Sequence, residues 1–596
     1  MTTNEKISRI RELMVKNNIK GLIIPSGDPH MSEYFSSHWK TREFISGFTG
    51  SVGTLVITLE ESGLWVDGRY YTQGAKEIEN SEIKLFKGSE PDCPKVSEYL
   101  ADILNEGDVV GCNGKLFSLE TMENIKNDFK EKNIKINGDI DFPNEIWKTR
   151  PQLNYEEIFY LEEKYSGKTP FEKIEILRDR IDNFGGEGII LGRLDNISWI
   201  FNIRAKDILN NPVVTSYGII LKNKSLLFTD KKRLPREVEE ILNKNQIEVF
   251  EYEEIFNYIL KLKNLKLILD KKEINYYLYE KMIENKNIEL ILKENPIPLM
   301  KGCKNKVEIE NIEKAYLKDA CAQVEFYAWL ESKLNKNEKV TEYDCVEKLK
   351  YYRSLQENYI EESFNPIVAY GKNAAMMHYS PKKNNSSLLN KKALLLNDSG
   401  GQYLEGTTDT TRTYSLGEVT LEEKHDFTLV LKSVINLSTA IFKDGCTGSD
   451  LDILARQYLW AEGLDYRCGT GHGIGFLLNV HETPPNFRDR DVKFQEGMCV
   501  TIEPGIYKEN YHGIRLENTV VVTVDKITEY GKFFKFKDIT LLPMDVDVLE
   551  LEIMNEKEIK WLNDYHKKVY RTLKDLVSES GREWLKIKTK KILTKY

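Results

Sequence analysis

The sequence predicts a mixed α/β (α+β) fold in three parts, and three observations predict it. A helix-then-strand unit occurs twice at a fixed spacing in the first half of the chain. In the second half, short apolar runs ended by acidic residues and glycine turns alternate with helical segments. The length of 596 residues is the third, because a single hydrophobic core stops growing at about 250–300 residues.

The first unit is KISRIRELMVKNNIKGLIIPSGD (6–28), an amphipathic helix followed by a buried strand and a loop ending in Asp28. The stretch KIEILRDRIDNFGGEGIILGRLD (173–195) repeats it 167 residues later, aligning Gly21 with Gly188 and Asp28 with Asp195. Further along each copy a second apolar run also ends in aspartate, at Asp67 in GLWVDGRYY and at Asp230 in SLLFTDKKR. Boundaries are expected near DFPNEIWKTRPQL (141–153) and ENPIPLMKGCKNKVEIE (294–310), where prolines interrupt the periodicity. These divide the chain into 1–150, 151–305 and 306–596. The last part opens with a helical pattern over 307–334 and closes with charged helices from EKEIKWL onward.

Composition excludes several function classes. A net charge of -9 argues against a nucleic-acid partner. No apolar run reaches the roughly 20 residues that cross a bilayer, and MTTNEKISRIRELM lacks the apolar core of a signal peptide. The eight cysteines are scattered without CxxC pairing, which predicts reduced thiols and a cytoplasmic protein.

The chemistry is concentrated late in the chain. Asp398 follows the apolar run ALLLN, and Asp409 comes eleven residues later, in TTDTTRT. A strand, a tight turn and a returning strand would put both carboxylates on one face of a hairpin. Two ions some 3.5–4 Å apart need such a pair, because one carboxylate must bridge them. By itself such a pair is more often made of turn or capping residues. His472 lies in CGTGHGIG, where glycines let the backbone approach closely; a lone histidine is usually surface or core filler. Glu503 in TIEPGIY sits at a strand end. Glu517 in GIRLENT enters a strand two residues after Arg515, a partner able to orient a carboxylate. Together the five offer an oxygen-rich pocket suited to two borderline-hard divalent ions, Mn²⁺ foremost, with Co²⁺ or Zn²⁺ possible.

In these motifs the chain resembles the pita-bread metallopeptidases, whose ligands run Asp, Asp, His, Glu, Glu in this order. It is most similar to the long, three-domain Xaa-Pro aminopeptidases (aminopeptidase P). The similarity extends through SGDPHMSEYF, FISGFTGSVGT, WVDGRYYTQGAK, MMHYSP, NDSGGQYLEGTTDTTRT, GTGHGIGFLLNVHE and the C-terminal WLNDYH. The resemblance implies two creatinase-like α/β domains followed by a pita-bread catalytic domain with a C-terminal helical extension. It implies that Asp398 chelates one ion, that His472 and Glu503 bind the other, and that Asp409 and Glu517 bridge them. A metal-bridging hydroxide would then attack the bond between any N-terminal residue and a penultimate proline, with Glu503 carrying the proton. His378 and His481 would contact substrate and steady the oxyanion, and Arg69 would reach substrate, or else simply pair with Asp67. A homodimer is implied, with Trp460 as an interface residue.

The chain departs from the pattern at Cys468, where many members have histidine before GTGHG; a thiol is a weak donor and makes that substrate contact doubtful. A prolidase restricted to Xaa-Pro dipeptides is the nearest alternative, and the duplicated N-terminal pair disfavours it. A non-catalytic scaffold of the same fold is disfavoured by the complete ligand set.

Overall fold

The computed structural model describes residues 1–153 and 155–593. The chain folds into two compact units, Met1–Leu161 with Lys168–Ile297, and Glu162–Gly167 with Pro298–Tyr596.

The first unit holds both copies of the repeat, each with a six-stranded sheet. In the first copy the strands are β1 (Gly21–Pro25), β2 (Thr54–Thr58), β3 (Ser62–Val66), β4 (Lys84–Lys87), β5 (Val109–Cys112) and β6 (Lys135–Asn137). In the second they are β7 (Gly188–Leu191), β8 (Tyr217–Leu221), β9 (Ser225–Phe228), β10 (Ile247–Phe250), β11 (Leu265–Leu269) and β12 (Ile288–Leu292). The spatial orders, β4-β3-β2-β1-β5-β6 and β10-β9-β8-β7-β11-β12, are the same. So are the directions: the first three strands of each copy pair antiparallel, and the other contacts are parallel. Asp67 and Asp230 both follow the third strand of their sheet.

The correspondence reaches further than the apolar pattern. Helices Thr3–Lys16 and Pro170–Asn183 open the two copies, each with a capping box, Thr2 with Glu5 and Thr169 with Glu172. One expectation is corrected here. Asp28 lies in a loop, but Asp195 sits in the first turn of a helix, Leu194–Ile200, where the helix dipole favours a carboxylate.

The second unit carries the 30-residue helix Lys306–Asn335, capped by Asn305 and Glu308. Its buried face covers a sheet of order Ile441–Lys443, Gly531–Asp538, Asn518–Thr528, Cys499–Ile502, His472–Gly473, Glu482–Asn486. Two three-stranded sheets flank it; one pairs Leu394–Ser399 with Ile367–Tyr370 and with Thr410–Ser415. Helices Glu556–Leu573 and Glu579–Lys588 close the chain, and Trp584 stacks on Tyr327 with centroids 5.4 Å apart.

A fully buried arginine locks this unit behind the Asp398 strand. Arg353 donates to Asp319 Oδ1 at 2.7 Å, to Glu362 Oε2 at 2.6 Å and to Ser399 Oγ at 2.9 Å. Removing the cation leaves two buried carboxylates uncompensated, so Arg353→Met should destabilise this unit by about 3–5 kcal/mol. Calorimetric unfolding checks this; an unchanged transition would refute it.

Candidate metal centre

The hairpin expected around Asp398 and Asp409 forms, but not through a tight turn. Asp398 pairs with Thr411 and Ser399 with Thr410. The chain between them makes a smaller hairpin of its own, Gly401–Tyr403 with Gly406–Thr407. Residues facing each other across the ladder share a side of the sheet, as do residues two apart. Asp398, Thr411 and Asp409 therefore share one face.

His472 reaches the same place from the neighbouring sheet. A Cβ on Gly471 would run into the Thr501 carbonyl, so glycine is what lets the two strands close up. The His472 N–H donates to Thr501 Oγ1 at 3.0 Å, and ring Nδ1 faces the Gly473 carbonyl at 2.9 Å. A carbonyl only accepts, so Nδ1 carries the proton and Nε2 presents its lone pair. Nε2 lies 3.3 Å from Glu503 Oε1 and 3.6 Å from Asp409 Oδ2. Glu503 ends the Cys499–Ile502 strand, its N–H donating to Thr470 at 2.8 Å. Glu517 occupies the short junction between His512–Arg515 and Asn518–Thr528. One ligand atom each from Asp409, His472 and Glu517 fall within 4.8 Å of one another.

The electrostatics follow from burying these acids together. Burial first, then the neighbouring carboxylates, hold Asp409 and Glu517 far above the usual range. Burial pushes Glu503 up to about 7, with Arg515 opposing and Asp398 reinforcing. Asp398 Oδ1, Asp409 Oδ1 and Glu517 Oε1 are buried without a hydrogen-bond partner among the described residues. Buried anionic oxygens left unsatisfied are costly. Asp409 and Glu517 bring carboxylate oxygens within 4.8 Å of one another and of the His472 ring nitrogen, a donor set that fits a divalent cation.

Arg515 orients a carboxylate, as expected, but that carboxylate is Asp398. Its Nη2 donates to Asp398 Oδ2 at 2.5 Å and its Nη1 to the Tyr507 hydroxyl at 2.6 Å. Glu517 is reached indirectly: Arg515 Nε donates to Thr411 Oγ1 at 3.3 Å, and Thr411 donates to Glu517 Oε2 at 2.8 Å. Tyr316, on the long helix, accepts the Asp409 N–H at 3.1 Å and donates to Thr519 Oγ1 at 2.6 Å. Sequence reasoning did not single out Thr411, Tyr507 or Tyr316. The first stands two residues from Asp409, and that period was the available signal; Tyr316 looks like any other residue on a buried helix face.

The remaining candidates fare differently. The His481 ring lies 4.3 Å from that of His472, at 78°. His378 sits on an exposed turn just after Gly371–Ala375, a segment packed so closely on the His512–Arg515 strand that a Cβ on Gly513 would strike the Ala374 carbonyl. Arg69 forms a two-point pair with Asp67, at 2.7 and 3.0 Å. Burial pushes the Cys468 thiol up to about 11, with the Glu503 charge adding to it. The thiol is therefore neutral near pH 7.

Comparison with known proteins places this geometry. Residues 310–524 match metallopeptidase family M24, residues 6–147 and 149–308 each match the creatinase/prolidase N-terminal domain, and residues 532–592 match the C-terminal region of peptidase M24. The chain is 36% identical to a probable Xaa-Pro aminopeptidase P of Tuber melanosporum, over 98% of this chain and 99% of the relative. The chain belongs to metallopeptidase family M24. A Dictyostelium discoideum relative, Xaa-Pro aminopeptidase 1, is 36% identical over 98% of this chain and 96% of its own. Among solved M24 structures, the X-prolyl aminopeptidase of Caenorhabditis elegans superposes with a TM-score of 0.94 at 31% identity. It covers 99% of this chain and 100% of its own, and is described as a cytosolic enzyme with a di-nuclear active site. The Xaa-Pro dipeptidase of Bacillus anthracis (26% identity, TM-score 0.50) covers 63% of this chain and 98% or more of its own length, at 99%. The fold is thus two creatinase-type α/β domains and a pita-bread domain, and the chain is a metallopeptidase.

The raised carboxyls set a pH dependence with a definite sign. Glu503 has an ordinary value of 4.5 and a folded value of about 7, so between these the folded chain holds more protons than the unfolded one. That contribution to stability is complete at low pH and is lost as pH rises through about 7. Chelator-treated protein should therefore melt at progressively lower temperature from about pH 5 to about pH 8, and Glu503→Gln should flatten the trend. A melting temperature that rises across this range would contradict the arrangement.

Proposed function

We propose that the chain is an Xaa-Pro aminopeptidase, releasing any N-terminal residue that precedes proline. Asp398, Asp409, His472, Glu503 and Glu517 would hold two divalent ions, Mn²⁺ foremost, supplied chiefly by carboxylate oxygens. The observation carrying this reading is the gathering of ligand atoms from Asp409, His472 and Glu517 within 4.8 Å of one another, with Glu503 Oε1 3.3 Å from His472 Nε2. The full-length similarity to aminopeptidases supports the substrate class, whereas the dipeptidase likeness spans 63% of this chain.

Bound divalent ions supply Lewis acidity and lower the pKa of a water toward neutrality. The chain's own residues do the rest. Glu503, with Oε1 3.3 Å from His472 Nε2, is placed to take up a proton and give it back. It delivers that proton to the proline nitrogen, which leaves poorly until protonated. Arg515 holds the Asp398 carboxylate in place. His481, packed against the His472 ring, and His378 hold the substrate and the developing oxyanion, a contribution of about 3–4 kcal/mol for a well-placed donor. Arg69 approaches the substrate from a second copy of the chain in a homodimer, and Trp460, 50% exposed on its helix, belongs to that interface.

Residues 1–150, 151–305 and 306–596 form the three domains of this enzyme, a division supported by the family matches. A cytoplasmic setting is supported by eight free thiols and by the cytosolic Caenorhabditis relative. Among the described residues no helix is long and apolar enough to cross a membrane.

A peptide beginning Arg-Pro-Pro should lose its arginine in the presence of Mn²⁺, while the same peptide with alanine second should not. Cleavage confined to Xaa-Pro dipeptides would identify a prolidase, and inactivity in every metal a scaffold. Asp409→Ala should abolish both turnover and bound metal while the protein stays folded; near-normal turnover would exclude the two-ion site. Sedimentation should show a dimer that Trp460→Glu weakens.

A further inference from the structure

The first compact unit contains a cavity of about 150 Å³, and none of the five metal-site residues lines it. Asp28, just past β1, stands on one side and Lys115, just past β5, on another. β1 and β5 are parallel neighbours, and β2 and β6 lie on opposite sides of them in the sheet. In open α/β sheets the crevice beyond the carboxyl ends of such a strand pair is where ligands lodge.

Trp39, Tyr217, Tyr252 and Phe256 give the cavity aromatic walls, with the Tyr217 and Tyr252 rings 5.1 Å apart. Asp28 is only 3% exposed. Its Oδ1 accepts the N–H of His30 and of Ser32, both at 3.0 Å, and its Oδ2 has no hydrogen-bond partner among the described residues. His30 presents Nδ1 to the Gly192 carbonyl at 2.7 Å and Nε2 to the Tyr252 hydroxyl at 2.9 Å, and burial favours its neutral ring. Asp207, the other buried acid on the wall, is paired with Arg233, and Glu253 is exposed at the rim. Lys115 has no salt-bridge partner among the described residues and lies 5.0 Å from the Tyr277 ring.

A buried carboxylate with one oxygen free, facing aromatic surfaces, suits an ammonium group attached to an apolar body. We infer that this cavity binds a small primary-ammonium compound, its ammonium on Asp28 and its hydrocarbon against Tyr217, Tyr252 and Phe256. The volume admits about six non-hydrogen atoms or a few more. Two sources share this chemistry. A free α-amino acid would place its carboxylate toward Lys115, whereas an alkylamine would leave Lys115 unused. The inference does not rest on the catalytic reading.

Calorimetric titration of the full-length, Mn²⁺-loaded protein with three matched probes tests it. These are leucine, isoamylamine (leucine without its carboxylate) and 4-methylpentanoic acid (leucine without its amine). Leucine, isoamylamine or both should bind, and the acid should not. Asp28→Asn keeps the acceptor for His30 and Ser32 but should weaken binding at least about tenfold. Phe256→Leu should weaken it as well, and Asp409→Ala should leave it in place. Lys115→Met separates the sources: weaker leucine binding with isoamylamine unaffected marks an amino-acid site, and no effect marks an amine site. No binding of either amine, unchanged affinity in Asp28→Asn, or loss in Asp409→Ala would overturn the inference.

Discussion

The second unit is organised around one constraint: the buried carboxylates Asp398, Asp409 and Glu517 and the partly exposed Glu503 are gathered around one arginine, Arg515. Two like charges 4 Å apart repel by about 4 kcal/mol at an effective dielectric of 20, and Asp398, Asp409, Glu503 and Glu517 each act on one another. Arg515 satisfies one oxygen of Asp398 and reaches Glu517 only through Thr411. The rest of the charge has two outlets, protonation or a bound cation. Protonation is the one visible in the raised carboxyls. A cation removes the need for it and uses the oxygens that no hydrogen bond satisfies.

Holding such a group of acids requires rigidity on the far side, and strand alternation supplies it. In TTDTTRT, Asp409, Thr411 and Thr413 face the site, where Thr413 donates to the Arg515 carbonyl at 2.9 Å. Arg412, of the opposite parity, points away and is fully buried. It donates to the Leu542 carbonyl at 2.7 Å, to Asn518 Oδ1 at 2.8 Å and to the Tyr565 hydroxyl at 2.9 Å. This stretch therefore sets Asp409 and Thr411 on the site side and anchors itself to the C-terminal helix through Arg412. The late helices act as its backing.

The acids and the histidine of the candidate site were legible because each lies beside an apolar run or glycine turn that shows locally, and because their order is distinctive. The repeat was legible from its apolar pattern, although its caps at Thr2 and Thr169 show it more sharply than the stretch from residue 6 onward. What escaped were pairings set over long separations. Arg515 stands two residues from Glu517, yet it holds Asp398, 117 residues away. Tyr316 meets Asp409 across 93 residues, from a helix face whose periodicity speaks only of burial. The excursion between Asp398 and Asp409 folds into its own hairpin, which glycine spacing alone does not separate from a simple turn.

The duplicated half shows how one topology supports two outcomes at its strand ends. Both sheets have the same order and directions, so both place a crevice at the carboxyl ends of their first and fifth strands. In the second copy protein fills it. Beyond β7, a Cβ on Gly192 would crowd the Glu273 carbonyl. Asn196 donates to both Glu273 oxygens at 3.0 Å, Asn295 donates to Oε2 at 2.7 Å, and Arg193 is paired with Asp195 at 3.1 Å. In the first copy the corresponding loop carries Asp28 with one oxygen free and leaves a cavity. The difference follows from whether the first strand runs into a helix, as at Asp195, or into an open loop, as at Asp28. A helix brings its own polar groups into the crevice and satisfies them there; a loop leaves room for something else to do so.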